Sequence, residues 1–439
     1  MSEHDTSDEA AITERQRRAA ARMEQARGAW ALYRVATDQT DSLRLEIARL
    51  ERELPSWTPL ADKADLLEAR SELAELLPER ARAFGALLVA CHLALTQDPD
   101  CAEARDLLAD AHFTRFVEAE TTGNVPEQVL HGTQLQAWDD GRYTAILRGA
   151  GSITLNTDPP DAEVLIQRFD QRGLVWTLSP PALLGRTPLV DAPLDRGSYL
   201  LTLRSPGLRD TRYPVFLRRG QRWTAGPPVP LHSDADIGPD CVYVPPGASG
   251  RDGFFLQRQH VTMQEYCAFL DAIPGRRWPL PTDRSEDRWD PRWPALGVTW
   301  DDAAAYAAWR AERDGLAWSL PTEAQWDKAA RGADGRGFPW GDTFDATLAL
   351  VSGSGPGGPA PGIVGASPTD VSIYGVRDLA GSARDWCGDA AFDGDPTLRP
   401  VRGGGWTSLP SGCHLGRRRS LERWSGDEAT GFRLARPAR

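Results

Sequence analysis

Apolar residues recur with a helical period up to about residue 150. Leu43, Ile47, Leu50 and Leu54 fall at i, i+4, i+7 and i+11, one stripe of a helix. Pro55, Trp57 and Pro59 break that stripe, and Leu66, Leu67, Leu73, Leu76 and Leu77 mark a second helix. Pro78 suits the first turn of a third helix, which carries Phe84, Leu87, Leu88 and Leu95 and stops at Asp98-Pro99. A fourth runs from about Ala102 through Leu107, Leu108 and Phe116. The period then changes to two. Ile153 and Leu155, Val164 and Ile166, and Tyr199, Leu201 and Leu203 alternate with polar neighbours. Turn chemistry separates these runs at Asp158-Pro159-Pro160, Gly185-Arg186-Thr187-Pro188 and Arg196-Gly197-Ser198. The pattern predicts a helical domain at 1–150 and a small antiparallel β-domain at 151–231. A Pro-, Asp- and Gly-rich linker at 232–240 and a further domain at 241–439 complete the chain.

The last domain is irregular. Eleven of the sixteen tryptophans lie between Trp278 and Trp424, which predicts a core held by large aromatics more than by long elements. Its helices announce themselves by capping boxes at Thr262-Met263-Gln264-Glu265 and Thr322-Glu323-Ala324-Gln325. The second of these carries Trp326 and Ala330 on one face and ends at Gly332. Between them, Val298-Thr299-Trp300-Asp301-Asp302 opens a helix bearing Ala305, Tyr306 and Trp309.

With 439 residues, two or three domains are expected. Hydrophobic content of 41% and charged content of 26% suit globular domains. The net charge of −12 argues against a general nucleic-acid binder. Nothing approaches the run of about eighteen apolar residues that spans a membrane. The acidic start Met-Ser-Glu-His-Asp lacks a hydrophobic signal core, so a cytoplasmic location is expected. The six cysteines, Cys91, Cys101, Cys241, Cys267, Cys387 and Cys413, form no CxxC pair, which disfavours a disulfide framework or structural zinc. His92, His112 and His131 are isolated in sequence, and no HExxH occurs.

Three resemblances follow from these residues. Ala94 to Arg115 resembles one tetratricopeptide unit, although no recurrence at the roughly 34-residue period of such arrays is present. A helical docking or dimerising domain is expected there. Thr157 to Val164, Gly185 to Leu189 and Gly197-Ser198-Tyr199 resemble a PEGA domain, which implies a surface or spacer module. Most specific is the ordered set beyond residue 240. It comprises Val242 to Gly247, Val261-Thr262, Gly297 to Trp300, Leu320 to Trp326 and Ala329 to Gly332. Pro339 to Asp342, Tyr374 to Gly381, Arg402 to Trp406 and Gly431-Phe432-Arg433 follow. Together these resemble the sulfatase-modifying-factor, or formylglycine-generating enzyme, family. The resemblance implies an irregular α+β fold related to C-type lectins. The expected fold class is therefore multidomain α+β.

The resemblance also implies sites. A family calcium site maps onto Asp378, Gly381, Ala383 and Asp385, where two carboxylates and two backbone carbonyls are hard oxygen ligands. The alternative is that both acids cap turns. A second family calcium site needs an Asn near Leu350 and a downstream Asp-x-Phe; neither is present, and loss of that site is expected. The family holds Cu(I) between two cysteines five positions apart, because soft thiolates suit that ion. Aligned on Arg402 to Trp406, these positions are Ser408 and Cys413. A hydroxyl is a hard, weak Cu(I) ligand, so Cys413 reads as a buried small hydrophobe, with a catalytic role only under an oxidase alternative.

Eight arginines against three acids follow from Arg402 to the end, within a chain of net −12. A cationic concave face for an acidic peptide or anion is one reading, and arginines tying down loops through carbonyls is the other. The candidate ligand-binding residues are Trp406, Ser408, Ser411, His414, Arg417 and Arg418. The domain order resembles the tail of some bacterial Ser/Thr kinases, but no glycine-rich loop, His-Arg-Asp or Asp-Phe-Gly occurs. The expected function is non-catalytic recognition or adaptation in bacterial signalling, with a protein partner such as a Ser/Thr kinase or protease. The alternative is a copper- and oxygen-dependent formylglycine-generating oxidase acting on a protein cysteine. Calcium is the expected cofactor, and copper only under that alternative.

Overall fold

The computed structural model describes residues 3–54, 58–247, 252–273, 290–390 and 395–438. It is a mixed α+β structure in two compact units, Met1–Leu147 and Arg148–Arg439. No described helix is long and apolar enough to cross a membrane.

The first unit is helical. α1 (Glu3–Glu53) and α2 (Ala64–Gln97) pack along each other, followed by α3 (Ala102–Thr121) and α4 (Val125–Trp138). Met23, Ala26 and Ala29 of α1 meet Leu87, Ala90, Cys91 and Ala94 of α2, with Ala104, Leu108 and Ala111 of α3 closing the core. Small residues at this spacing let the helices approach closely. Pro78 does not start a helix: it lies inside α2, which passes through it unbroken. Packing against α1 over the whole length outweighs the lost amide, and Arg80, buried just beyond, pairs with Glu118 of α3. Pro55 and Trp57, read above as breakers, lie outside the described residues. His112 and His131 are not isolated, because α3 and α4 bring their Nδ1 atoms to 3.0 Å in a buried pair.

The second unit opens with β1 (Gly151–Leu155), β2 (Glu163–Arg172), β3 (Val175–Leu178) and β4 (Ala182–Arg186). β5 (Leu189–Leu194), β6 (Gly197–Arg204), β7 (Thr211–Leu217) and β8 (Arg222–Thr224) follow. One sheet has the order β3-β2-β6-β7 with β4 also on β2, all antiparallel. The other, β5-β1-β8, is mixed, since β1 and β8 run parallel. The expectation of a purely antiparallel domain is corrected on this point: after β7 the chain returns alongside β1 in the same direction. Ile153, Leu155, Val164, Leu201, Leu203 and Val215 pack into one core, as the period of two required. In the stretch read as a linker, Ser233 and Asp236 form a capping box on the short helix Asp234–Ile237.

Beyond it come β9 (Cys241–Val244), β10 (Phe254–Gln257), α5 (Met263–Ala272), α6 (Trp300–Asp314) and α7 (Glu323–Arg331). β11 (Arg384–Trp386), β12 (Leu398–Arg402), α8 (Pro410–Cys413), β13 (Arg419–Glu422), β14 (Thr430–Gly431) and β15 (Ala435–Pro437) complete the chain. Both capping boxes form as read, at Thr262 with Glu265 and at Thr322 with Gln325, while Thr299 caps α6. β15 pairs with β10, and β10 with β9, so the two ends of this region close on each other. A second sheet, β13-β12-β11-β14, carries the tail. Trp326 and Trp386 are fully buried, and Tyr266, Phe269, Tyr306 and Phe432 stack into one aromatic core.

The β-strands and this region share packing. Leu200 of β6 belongs to the same apolar cluster as Val244, Leu256 and Trp326. The Trp176 amide donates to the Trp340 carbonyl at 2.7 Å, and the buried Arg336 guanidinium lies 4.4 Å from the Phe169 ring centre and 5.1 Å from that of Trp176. Gly341, at φ 146°, is where Trp176 comes closest; a Cβ there would sit 2.7 Å from the indole.

Candidate functional site

The tail is anchored by two buried arginines. Arg402, at the end of β12, reaches Asp327 at 2.5 Å and Glu323 at 3.3 Å on α7, donates to the Leu415 carbonyl and stacks over Trp326. Arg433 donates Nε to both oxygens of Asp385 at 3.0 and 2.9 Å. Its remaining donors meet the carbonyls of Arg258 and Asp378 and the ring of His260. Trp326 Nε1 adds a 2.8 Å bond to Asp385 Oδ2. The planar guanidinium supplies the several directed donors that this buried carboxylate needs. Burial, with Arg433 adding to it against the pull of Asp385, pushes His260 down to about 4, so it is neutral there.

Between these anchors lies the turn 378–381. Asp370, fully buried, accepts from the amides of Leu379 at 3.0 Å, Ala380 at 3.1 Å and Gly381 at 3.0 Å. Burial, then the neighbouring Asp378 charge, lifts Asp370 to about 7. Asp378 takes a left-handed φ of 58°, accepts from the Gly365 amide, and is lifted to about 6, chiefly by burial. The four positions mapped to calcium, Asp378, Gly381, Ala383 and Asp385, are thus brought onto one turn and strand. As arranged they do not form an open oxygen shell. Asp385 is saturated by Arg433 and Trp326, and the Ala383 backbone is hydrogen-bonded by His260.

The two copper-family positions are both buried. Ser408 Oγ accepts from the Gly405 amide at 2.9 Å, and Cys413 Sγ donates to the Leu409 carbonyl at 3.3 Å. Cys413 packs with Phe338, Trp340, Val351 and Ala380, and burial pushes its thiol up to about 12. One hydroxyl and one protonated thiol do not fit the two-thiolate Cu(I) site. Gly404 beside them is fixed by space, since a Cβ would fall on the Ala380 carbonyl oxygen.

The six candidate ligand residues separate. Ser408 is buried, and Trp406 is half-buried with its indole N–H on the Glu428 carbonyl at 3.1 Å. Ser411, His414, Arg417 and Arg418 are exposed. Arg417 Nη1 donates to the Ser411 carbonyl at 3.1 Å, and His414 stands edge-on to Phe338. Arg418, 3.8 Å from Glu323, is the only one of the six lining a cleft of about 900 Å³ that also takes in Tyr213, Phe216 and Trp223. Of the tail arginines, Arg402 and Arg433 thus tie the fold down, while Arg417 and Arg418 are left to solvent. Asp370, His260, Glu323 and Asp327 were missed in the sequence. Only Glu323 carried a signal, as the first residue after a capping threonine. Among the described residues no group of three or more His, Cys, Asp or Glu side chains is placed to hold a metal ion.

The sulfatase-modifying factor enzyme 1-like domain family matches residues 223–438. The chain is 30% identical over 207 residues to the formylglycine-generating enzyme of Mycobacterium tuberculosis, covering 39% of this chain and 67% of that protein. It is 34% identical over 155 residues to the inactive C-alpha-formylglycine-generating enzyme 2 of Bos taurus, with 32% and 50% covered. It is 29% identical over 216 residues to the serine/threonine-protein kinase Pkn1 of Chlamydia trachomatis, with 42% and 33% covered. The chain therefore spans about half the length of the bovine relative. With the family model spanning the region that Arg402 and Arg433 hold together, and two thirds of the Mycobacterium tuberculosis enzyme matched at 30% identity, the chain belongs to the sulfatase-modifying factor enzyme 1-like family.

Proposed function

We propose that this chain is a non-catalytic recognition or adaptor protein of bacterial signalling, using the formylglycine-generating-enzyme-like domain as its binding face. One observation carries the reading: a buried serine hydroxyl and a buried, protonated Cys413 stand where the family's copper chemistry needs two thiolates. Relatives named as inactive and as a kinase support it by analogy. In this reading the tetratricopeptide-like helices dock a partner and the PEGA-like strands act as a spacer. The exposed tail residues Ser411, His414, Arg417 and Arg418, with Trp406 at their edge and Ser408 beneath, present a C-type-lectin-like face. The partner would be a protein such as a Ser/Thr kinase or protease of the same pathway.

The competing oxidase reading draws on the formylglycine-generating relatives. It requires purified protein to bind one Cu(I) and to oxidise the cysteine of a Cys-x-Pro-x-Arg peptide. We expect neither, and observing both would sink the recognition reading. A pull-down with the full chain, repeated with Arg418→Ala and Trp406→Ala, tests the face: loss of the captured partner supports it, and unchanged capture in both variants moves the site elsewhere.

Calcium enters the proposal as a structural ion at Asp378, Gly381, Ala383 and Asp385, carried by the family resemblance alone. Binding there requires Arg433 to release Asp385. Elemental analysis and thermal melts with and without chelator test it. No metal and no shift in the melt would remove calcium from the proposal.

A further inference from the structure

Helix α1 has two faces. Ala26, Ala29, Tyr33 and Ala36 are buried, on the side turned to the rest of the helical unit. Away from them, Ala21, Gln25, Gly28, Leu32, Val35, Gln39 and Ser42 recur at alternating steps of four and three, so they form one ridge along the helix. All seven are exposed, Leu32 by 67% and Val35 by 56%. At 1.5 Å per residue the ridge runs roughly 32 Å. Arg22, Glu24, Arg27, Arg34, Asp38 and Asp41 lie within the same span, and none of them falls on the ridge. The solvated face of a helix is ordinarily where charges collect. This one excludes them.

Gly28 stands within the ridge, in the interior of α1. A glycine there weakens a helix relative to alanine, because it costs more backbone entropy to order. A Cβ on Gly28 would meet nothing within 4 Å, so the packing of this chain does not require the glycine. What the missing side chain allows is close approach of a backbone from outside.

The two ends of the ridge carry opposite charge. In the same steps, Arg18 precedes Ala21 and Glu46 follows Ser42. Residues 15–27 hold five arginines against one acid, and residues 38–53 hold five acids against three arginines. Arg18 pairs with Glu14, and Glu46 with Arg49, through exposed side chains of α1 itself. Surface pairs of this kind contribute little and exchange readily. Laid antiparallel against a second α1, the ridge brings Leu32 and Val35 of both chains to the centre, and Gly28 leaves room for the side chains opposite. The Arg18 end of each chain then meets the Glu46 end of the other. Parallel pairing would set like ends together. A surface that complements itself under a two-fold axis is an isologous interface, and its occupant is a second copy of the chain. We propose that the protein dimerises through this ridge, with the two α1 helices antiparallel. The surface shares no residue with the tail face and goes beyond that reading.

A ridge one helix wide buries less than the roughly 1,200 Å² of standard interfaces, so the dimer dissociates in the micromolar range. Sedimentation equilibrium of the full chain from about 1 to about 100 µM tests it. The mass is expected to rise from the 48.1 kDa of one chain towards twice that value. Leu32→Glu should weaken association at least about tenfold, since the two-fold axis sets the two new charges near each other. Leu32 is largely exposed in the single chain, so the dilute variant should melt where the dilute parent does. Arg18→Glu and Glu46→Arg should each weaken association about fivefold, and the two together should restore it, because the reversed ends still match. Leu130→Glu, on α4 and 54% exposed in the parent, should leave the equilibrium unchanged. A chain that stays monomeric throughout, even one whose ridge takes up another protein's helix, would overturn the proposal. So would a dimer indifferent to Leu32→Glu, a double charge variant no better than its singles, or an equal loss in Leu130→Glu.

Discussion

At the scale of single residues, the charge pair between Arg433 and Asp385 governs the domain. Both side chains are buried, and Trp326 and His260 complete the hydrogen bonding, so removing one partner leaves an uncompensated charge in an apolar core. Arg433→Ala should cost about 3–5 kcal/mol and lower the denaturant midpoint accordingly. Replacing Arg433 and Asp385 together by Met and Leu should cost much less than the single change. If the double variant is no more stable than Arg433→Ala, the pair is not coupled as described. The Gly431-Phe432-Arg433 motif was plain in the sequence, but its meaning was not. Which acid Arg433 meets depends on β11 and β14 lying parallel side by side, a pairing between residues far apart in the chain. The same holds for Asp370, which has no sequence signature and becomes the keystone of the 378–381 turn only because three amides converge on it.

Among the elements, helices were read from caps and strands from alternation, and both signals are local enough to survive folding. Thr262, Thr299 and Thr322 cap the helices they were expected to cap. Pro78 was misread because a proline favours a first turn on local grounds, whereas the packing of α1 against α2 carries the helix through it. Pro78→Ala should therefore stabilise the helical unit by about 1–3 kcal/mol, the interior proline penalty less what the fold has absorbed. A lowered or unchanged midpoint would show that α2 bends there to a purpose. The α3–α4 pair has its own pH signature. Burial, then the proximity of His131, pushes His112 down to about 4, below its ordinary value, and burial lowers His131 in the same direction. The folded state thus prefers the neutral rings, and the unfolded state binds protons first. Stability is full above about pH 6.5 and falls as the pH drops from there towards 4. Circular dichroism melts should show the helical unit losing at least about 3 °C over that window. His112→Gln should flatten the loss; an equally steep profile in that variant would assign it to other groups.

For the whole molecule, the coupling inside Arg148–Arg439 is the feature with most consequence. Arg336 sits between Asp334 at 2.6 Å and the rings of Phe169 and Trp176, and Ser198 donates to Asp334. The β-strands are therefore not tethered loosely to the family domain. Arg336→Ala should remove about 3–5 kcal/mol and split one calorimetric transition of this unit into two. A single transition of unchanged width would mean that Leu200 and the apolar contacts alone hold the halves together.

The sequence by itself determined the elements with strong local codes, the order of the family motifs, and the loss of a thiolate at Ser408. These are properties of composition and spacing, and no rearrangement of the chain alters them. Only the tertiary structure decided that Cys413 is buried and protonated, that Asp385 is spent on Arg433, and that Arg402 and Arg433 are anchors while Arg417 and Arg418 face solvent. Whether a charge is free or consumed depends on what lies within a few ångströms of it, and those neighbours come from strands and helices distant in the chain.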